Sequence, residues 1–233
     1  MSATRHETRL WLALFAALLL FYFLWPEFDL QVSAPFYRAD TGFWIDDLPW
    51  VRMVHETVPW VGRLLLVGSI LVWLLARRSR QASVRRLARP AATLLIGLVL
   101  GLGLLVHGAL KENWGRARPV QVTQFGGQAA YTPPWQPASE CRRNCSFVSG
   151  HAGTGFALIA LGALAAPRRR RYWLVIGWSA GLLLGALRIA QGGHFLSDVL
   201  FCGLLLWGCS IATRAFWTRW RLRRWHKLRQ SAA

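Results

Sequence analysis

Carboxylate side chains are scarce in this chain and absent from long stretches of it. Only 10 of the 233 residues are Asp or Glu, against 28 Lys and Arg, and the formal net charge is +18 at pH 7. Yet 54% of the residues are hydrophobic, and the mean hydropathy is +0.30. A chain that is both apolar and highly charged is expected to keep the two kinds of residue apart along its length.

The chain also lacks an internal repeat, a soluble appendage and a signal-peptide cleavage site. Its first apolar run ends at Phe21-Tyr22-Phe23-Leu24-Trp25-Pro26, without the small residues that such a site requires. The signal-peptide interpretation is therefore disfavoured, and we expect a retained first helix. With no boundary in view, residues 1–233 are expected to form a single membrane domain.

Six apolar runs make up most of the chain. They cover about residues 10–25, 58–76, 91–110, 152–166, 172–187 and 195–213. A membrane-spanning helix needs about 20 apolar residues, so the first, fourth and fifth runs must extend into flanking aromatic or loop residues. Buried helices of a soluble protein are the alternative for any single run. Six runs joined by charged connectors predict an all-α polytopic membrane protein with six transmembrane helices.

The uneven scarcity of acids indicates the orientation. Three basic connectors contain no acid, namely residues 77–90, 168–171 and a tail at about 214–233. Short loops rich in Lys and Arg stay on the cytoplasmic side of a membrane. We therefore expect both termini in the cytoplasm and outer loops at about 26–57, 111–151 and 188–194. Cations placed just beyond helix ends favour this topology, with contact to anionic headgroups, over nucleic-acid binding.

Only four cysteines are present, and they fall into two pairs. Cys141 and Cys145 lie in the second outer loop, where an oxidising periplasm permits a disulfide. Free thiols are an alternative, and so is a zinc site, which would need two further ligands. Cys202 and Cys209 are seven residues apart on one helix face, and we expect them in the core.

Cations follow the third apolar run. Lys111 and Arg118 are seven residues apart, about two helical turns, and Pro119 ends that arrangement. A planar guanidinium and a compact ammonium together suit a phosphoryl group. We expect Arg116 to join them, with lipid headgroups as its alternative contact. Snorkelling side chains at the membrane boundary are the alternative for the whole set.

Ser149-Gly150-His151 precedes the fourth apolar run. Ser is a favoured N-cap residue, and Gly lets the backbone approach a ligand closely. The start of a helix presents free N–H groups and the positive end of the helix dipole, which bind phosphate. A capped helix with a solvated histidine is the alternative.

Arg188, His194 and Asp198 belong to the last outer loop and the helix after it. His194 and Asp198 are four residues apart, so a helix would carry both on one face. A carboxylate bonded to one imidazole nitrogen leaves the other nitrogen free to attack. Gly192-Gly193 separates Arg188, at the end of one span, from His194 at the start of the next. A boundary histidine with an incidental aspartate is the alternative.

Together these residues resemble the type 2 phosphatidic acid phosphatase (PAP2) superfamily of membrane lipid phosphatases. The family pattern is Lys-x6-Arg-Pro, then Pro-Ser-Gly-His, then Ser-Arg-x5-His-x3-Asp. The chain departs from it at two positions, where Val148 replaces the proline and Leu187 replaces the serine. Neither departure removes a catalytic or phosphate-binding residue of the pattern.

The resemblance implies a mechanism without metal or cofactor. His194 would attack phosphorus and form a phosphohistidine, Asp198 would orient His194, and His151 would protonate the leaving oxygen. The other residues of the pattern would hold the phosphate, namely Lys111, Arg118, Arg188, Ser149 and Gly150. Similarity around Phe125-Gly126-Gly127 and residues 144–151 to bacterial members of the lipid A phosphatase type favours lipid A as the substrate.

The expected activity is hydrolysis of a lipid phosphate at the periplasmic face of the bacterial inner membrane. Undecaprenyl pyrophosphate and phosphatidylglycerophosphate are alternative substrates, because relatives that act on them share these motifs. Lipid phosphotransfer is a further alternative, and so is a non-catalytic transporter or scaffold, although no nucleophile, acid or phosphate cation is missing. The expected partners are the lipid substrate and the bilayer, without nucleic acid. The sequence leaves the oligomeric state open.

Overall fold

In a computed structural model the protein is a bundle of long helices with a folded cap of loops at one end. The structure describes Ser2–Gln230, and for residues 2–3, 222 and 224–230 it describes the backbone alone. The last residues of the predicted basic tail, 231–233, lie outside the described part of the chain.

Helices account for almost all of the regular structure. The α-helices are α1 (Ser2–Leu24), α2 (Phe28–Ser33), α3 (Pro49–Arg78), α4 (Ala82–Arg85), α5 (Ala88–Ile96), α6 (Lys111–Asn113), α7 (Gly150–Phe156), α8 (Pro167–Ala190) and α9 (Leu196–Gln230). A π-helix over Gly97–Leu110 joins α5 to α6 without a break. Short 3₁₀-helices lie at Ala34–Phe36, Trp44–Asp47, Pro119–Gln121, Thr123–Phe125 and Ala157–Gly162. Two antiparallel strands, β1 (Tyr37–Arg38) and β2 (Gly42–Phe43), complete the first loop.

Five helical segments are long and apolar enough to cross a membrane: Thr4–Leu24, Pro49–Arg78, Ala82–Asn113, Pro167–Ala190 and Leu196–Arg221. Large apolar side chains such as Leu12 and Leu64 are exposed on them, as expected for a helix that faces lipid. The prediction of an all-α polytopic membrane protein is therefore confirmed. Six crossings and two cytoplasmic termini stay predictions.

The fourth predicted run, 152–166, differs from the others. It forms the 7 residues of α7 followed by 6 residues of 3₁₀-helix, and neither piece alone would cross a bilayer. Every residue of α7 except His151 is buried. This segment therefore lies inside the bundle, packed against α8 and α9.

Small residues let α8 approach its neighbours closely. Three glycines spaced by four residues lie on one face of α8, namely Gly177, Gly181 and Gly185. Ile159, Phe156 and Val199 occupy the space that a Cβ at these positions would need. Such small-residue faces are typical of helix contacts in membranes. The close packing brings the ends of α7, α8 and α9, which carry the second and third motifs, next to each other.

The end of the bundle away from the cap is held by a buried ion pair. Arg170 donates to both carboxylate oxygens of Glu7, at 2.7 and 2.5 Å, and is 4% exposed. Trp207 Nε1 donates to the same carboxylate at 2.8 Å. These contacts join α1, α8 and α9.

Candidate active site

At the capped end, residues within 46–56, 118–120 and 188–193 line a cavity of about 340 Å³. Arg118 and Arg188 line it together with His55, Gln191 and Asp46. The ring of His151 contacts that of His55, with centroids 4.5 Å apart and planes inclined by 36°, and so borders the cavity wall. Residues of all three predicted motifs therefore meet at one place.

Lys111 and Arg118 meet on a short loop rather than on one helix face. Helix α6 ends two residues after Lys111, and Gly115, with a φ of +68°, turns the chain before Arg118. Lys111 Nζ donates to Asn144 Oδ1 at 2.9 Å and to the carbonyl of Cys145 at 3.2 Å. Arg118 Nη2 donates to the carbonyl of Asn144 at 2.8 Å. The placement differs from the predicted helical spacing, because a glycine turn and not a helix joins the two cations.

A disulfide joins Cys141 to Cys145 across this loop. Between them Asn144 has a φ of +51°, a left-handed conformation that Asn tolerates better than most residues. The backbone N–H of Cys145 donates to the carbonyl of Lys111 at 3.1 Å. The disulfide loop is thus the support on which the first-motif cations rest.

Arg188 is buried at the end of α8 and contacted from several sides. Its Nη1 donates to Gln191 Oε1 at 2.8 Å and contacts His55 Nδ1. Gln191 Nε2 in turn donates to Asp46 Oδ1 at 2.6 Å. A Cβ at Gly193 would lie 2.0 Å from Nη2 of Arg188, so a larger residue there would displace the guanidinium from its present position. Among the described residues, none accepts a hydrogen bond from the buried Nε of Arg188; leaving such a donor unpaired is costly, and an anionic oxygen would satisfy it.

Ser149 caps α7, as its position before an apolar run indicates. Its Oγ accepts from the Ala152 N–H at 3.4 Å. A Cβ at Gly150 would lie 2.6 Å from His107 Cε1 and 3.5 Å from Lys111 Cε. The second motif therefore packs directly on Lys111 of the first motif and on His107, one helical turn before it.

His151 has one ring nitrogen occupied and one free. Its Nε2 lies 3.0 Å from the carbonyl oxygen of His55. Because a carbonyl only accepts, Nε2 carries the hydrogen and Nδ1 is the free nitrogen. Burial and the charge of Arg188 lower the pKa of His151 to about 4, so the ring is neutral at pH 7.

His194 lies in the turn before α9 rather than on its face. Its Nδ1 is 2.7 Å from the carbonyl oxygen of Ser146, so Nδ1 carries the hydrogen and Nε2 keeps a free lone pair. Asp198 Oδ2 is 3.7 Å from that Nδ1, beyond hydrogen-bond distance. The predicted contact from Asp198 to His194 is therefore replaced by one from Ser146, whose Oγ donates to Asp198 Oδ2 at 2.5 Å.

The electrostatic surroundings keep His194 neutral. The side chain is 1% exposed. Burial, followed by the charges of Lys111, Arg188 and Arg118, lowers the pKa of His194 well below its usual value. Three cations from two separate stretches of sequence thus act on one imidazole and favour its uncharged form at neutral pH.

Arg116 lies behind these cations. Its guanidinium is 0% exposed and pairs with Asp29 at 2.8 Å and with Asp198 at 2.6 Å. Although burial opposes its charge, the two carboxylates raise the pKa of Arg116 above its usual value. The remaining donors of Arg116 also have partners within the protein, because Nε donates to the Thr132 carbonyl at 2.8 Å and the terminal nitrogens also contact Ser197 and Tyr131. The structure therefore gives no support to the prediction that Arg116 holds phosphate.

Several residues at the site escape sequence reasoning. They are His55, Asp46 and Gln191 beside Arg188, and Ser146 and Asp29 around Asp198. Ser146 lies in the 144–151 segment that resembles lipid A phosphatases, but that resemblance gave it no role. The other four have no signal in the sequence beyond a position in or next to a predicted outer loop.

Comparison with known proteins identifies the family of the chain. Residues 92–224, more than half of the chain and including all three motifs, match the family model of the PAP2 superfamily. The chain belongs to the PAP2 superfamily. No solved structure matches it significantly.

Three curated relatives share one name. A lipid A 4'-phosphatase of Francisella tularensis subsp. novicida is 35% identical over 193 residues, which are 81% of this chain and 85% of that protein. Lipid A 4'-phosphatases of Rhizobium etli and Rhizobium leguminosarum are 37% and 36% identical over 153 and 154 residues. Each of these two matches covers 64% of this chain. They cover 57% of the Rhizobium etli protein and 64% of the Rhizobium leguminosarum protein, in both cases less than two thirds of its length.

Proposed function

We propose that this PAP2 superfamily member hydrolyses a phosphate from lipid A, through a phosphohistidine, at the periplasmic face of the bacterial inner membrane. Family membership and relatives with this name make the chain a membrane lipid phosphatase, a phosphoric monoester hydrolase. The lipid, the intermediate and the membrane face are the proposal. The observation that carries it is a buried, neutral His194 among the cations of the family pattern.

In the first step His194 Nε2 attacks phosphorus, while its Nδ1–H stays on the Ser146 carbonyl. Lys111, Arg118 and Arg188 hold the non-bridging oxygens and stabilise the charge that develops on them. The bond between phosphorus and the lipid oxygen breaks as the nitrogen–phosphorus bond forms. Water then attacks the phosphohistidine, which releases inorganic phosphate and restores His194.

His151 supplies and recovers the proton. In the first step its Nδ1–H protonates the leaving lipid oxygen, and in the second step Nδ1 takes a proton from the attacking water. A phosphate dianion beside the ring offsets both burial and the charge of Arg188, which together lower the pKa of His151. Binding of the substrate therefore favours the protonated ring that the first step needs.

The charge distribution supports the proposed location. All the motif residues lie at the capped end, while the basic connectors 77–90 and 168–171 lie at the other ends of the helices. Lys/Arg-rich connectors favour the cytoplasmic side. The active site would then face the periplasm, within a single domain over residues 1–233.

The test compares the wild-type protein with His194→Ala. The matched control is His6→Ala, a histidine near the start of α1, at the end of the bundle away from the cap. Phosphate release with EDTA present should be lost in His194→Ala and retained in His6→Ala. Wild-type protein quenched during turnover of a labelled substrate should carry acid-labile phosphate on a histidine. Normal turnover by folded His194→Ala protein would end this mechanism.

The substrate is tested separately with a panel of lipids. Lipid A should be the preferred substrate over undecaprenyl pyrophosphate and phosphatidylglycerophosphate. Preference for either of these would replace lipid A but keep the mechanism. Appearance of the label on a second lipid instead of in water would identify a phosphotransferase.

A further inference from the structure

Asp29 is the most completely bonded acid of the described residues, yet it belongs to no motif. It lies in α2 and is 0% exposed. Its Oδ1 accepts from Tyr22 Oη at 3.0 Å and from the Ser197 N–H at 2.9 Å. Its Oδ2 accepts from Arg116 Nη2 at 2.8 Å and from Ser197 Oγ.

Its partners lead directly to the reacting histidine. Arg116 bridges Asp29 to Asp198, and Ser197 is the second residue of α9. His194 precedes α9 by two residues, so its position depends on where α9 begins. A buried ion pair is weak evidence for stability, since removing charges from water offsets their attraction. Another use is to hold one arrangement of the groups around it.

On the basis of the proposed function, we infer that Asp29 is a positioning residue for the reaction. It holds Arg116 and the first turn of α9, and through them Asp198 and His194. The phosphate cations Lys111, Arg118 and Arg188 make no hydrogen bond to Asp29 within the described part of the chain. Loss of Asp29 should therefore slow the attack and leave phosphate binding largely intact.

The experiment uses Asp29→Asn in the full chain, with Asp40→Asn as a matched control, because Asp40 is an exposed acid of the same loop. In Asp29→Asn, kcat on a small phosphate ester should fall about 10–100-fold, as expected for a displacement of the nucleophile by up to about 1 Å. The inhibition constant of inorganic phosphate, which binds among the cations without forming a bond to His194, should change less than about threefold. Ser197→Ala removes one bond to Asp29 and should show the same split in milder form.

Three results would overturn the inference. They are unchanged kcat in folded Asp29→Asn protein, equal weakening of kcat and of inorganic phosphate binding, and a kcat loss of the same size in Asp40→Asn. Should Asp29→Asn not fold, Ser197→Ala decides by the same comparison. Failure of the proposed function looks different, because the wild-type protein itself would then release no phosphate.

A second inference comes from the opposite end of the bundle, where cations line a cavity of about 480 Å³. Arg89, Arg214 and Arg221 are three of its lining residues. Arg214 lies 16 residues along α9 from Asp198, about 24 Å of helix. No carboxylate lines this cavity among the residues that the structure describes.

An apolar cavity of about 600 Å³ adjoins the cationic one. Arg89, Leu164 and Trp217 line both cavities, and Trp73 and Ile96 line the apolar one. Arginines beside an apolar and aromatic cavity match a molecule with an anionic head and an apolar chain. A free phosphate would use only the first cavity.

We propose that these two cavities form a binding site for an anionic phospholipid of the membrane that holds the protein. Its phosphate lies among Arg89, Arg214 and Arg221, and one acyl chain lies against Trp217 and Trp73. This site is separate from the catalytic site, and the phospholipid is bound there without being hydrolysed.

The test is lipid binding to delipidated full-length protein, measured by native mass spectrometry. Phosphatidylglycerol should bind more tightly than phosphatidylcholine. Arg89→Gln/Arg214→Gln should weaken phosphatidylglycerol by about 30-fold, if each cation contributes as much as one near a membrane surface. Arg168→Gln/Arg169→Gln, an equal charge change outside both cavities, should weaken it less than twofold.

A competition measurement distinguishes binding at this site from general electrostatic attraction to the basic surface. Inorganic phosphate at millimolar concentration should not displace the lipid, because it cannot fill the apolar cavity. Equal losses in the two double variants would overturn the proposal, and so would equal affinity for the two lipids or full displacement by phosphate.

Discussion

Breaking the disulfide between Cys141 and Cys145 should weaken both the fold and phosphate binding. The bridge closes a loop with a sequence separation of 4. The chain-entropy relation gives about 2 kcal/mol for so short a loop, and we expect Cys141→Ser/Cys145→Ser to lower the free energy of unfolding by that amount. Thermal unfolding in detergent measures this loss.

The same change should raise KM, because the loop holds two phosphate cations. Lys111 donates to Asn144 and Cys145, and Arg118 donates to Asn144. Loosening one such charge-assisted bond costs about 1.4 kcal/mol, or about tenfold in KM. The value of kcat should stay within about threefold, since Ser146, which bonds His194, has its own bond to the Arg116 carbonyl at 2.9 Å.

Reduction provides the control. Reductant should give the wild-type protein the KM of the double variant, and it should leave the double variant unchanged. An unchanged KM in protein proven to lack the bridge would refute the claim that the loop positions the cations. A fall in kcat at constant KM would refute it as well.

Three further predictions follow from the site. His151→Ala should slow esters with poor leaving groups about 10²–10⁴-fold but spare an activated aryl phosphate; equal losses would remove His151 as the acid. Binding of inorganic phosphate at pH 7 should take up protons, because the pKa of His151, lowered to about 4 by burial and Arg188, rises beside a dianion. Calorimetry in buffers of different ionisation enthalpy measures this uptake. A heat of binding that does not depend on the buffer would contradict it. Because burial and nearby cations hold the pKa of His194 well below its usual value, protonation of the unfolded chain should lower stability as pH falls below about 6.5. His194→Gln should flatten that part of the stability curve, and an unaltered curve would count against the shift.

We expect the loops 26–57 and 111–151 to determine which lipid the protein hydrolyses. Substitutions at Trp44 and Trp135, one in each loop, test this expectation. Trp44 lines an apolar cavity of about 560 Å³ with Leu183 and Leu187, beside the phosphate site. Trp44→Ala should therefore alter preference among lipids and spare a small soluble ester. Equal effects on both substrate types would make the loop structural.

The chain's pattern alone determined the class of fold and most of the candidate residues. Apolar runs of membrane length and acid-free connectors are local properties, so they can be read without knowing any contact. The three motifs are local as well, since each needs only a few residues at short spacing. Lys111, Arg118, Arg188, His151 and His194 could be selected in this way.

Only the tertiary structure decided how these residues share their partners. Arg116 lies two residues from Arg118, yet it pairs with Asp29 and Asp198, which are 87 and 82 residues away. Asp198 stands at a helical spacing from His194, but the nearer partner of that histidine is the Ser146 carbonyl, 48 residues away. Such choices depend on which buried charge finds a partner when helices pack, and sequence spacing does not contain that information. The 152–166 run is a further example, since it forms a short α-helix and a 3₁₀-helix packed against α8 and α9, and its hydropathy alone does not predict this placement.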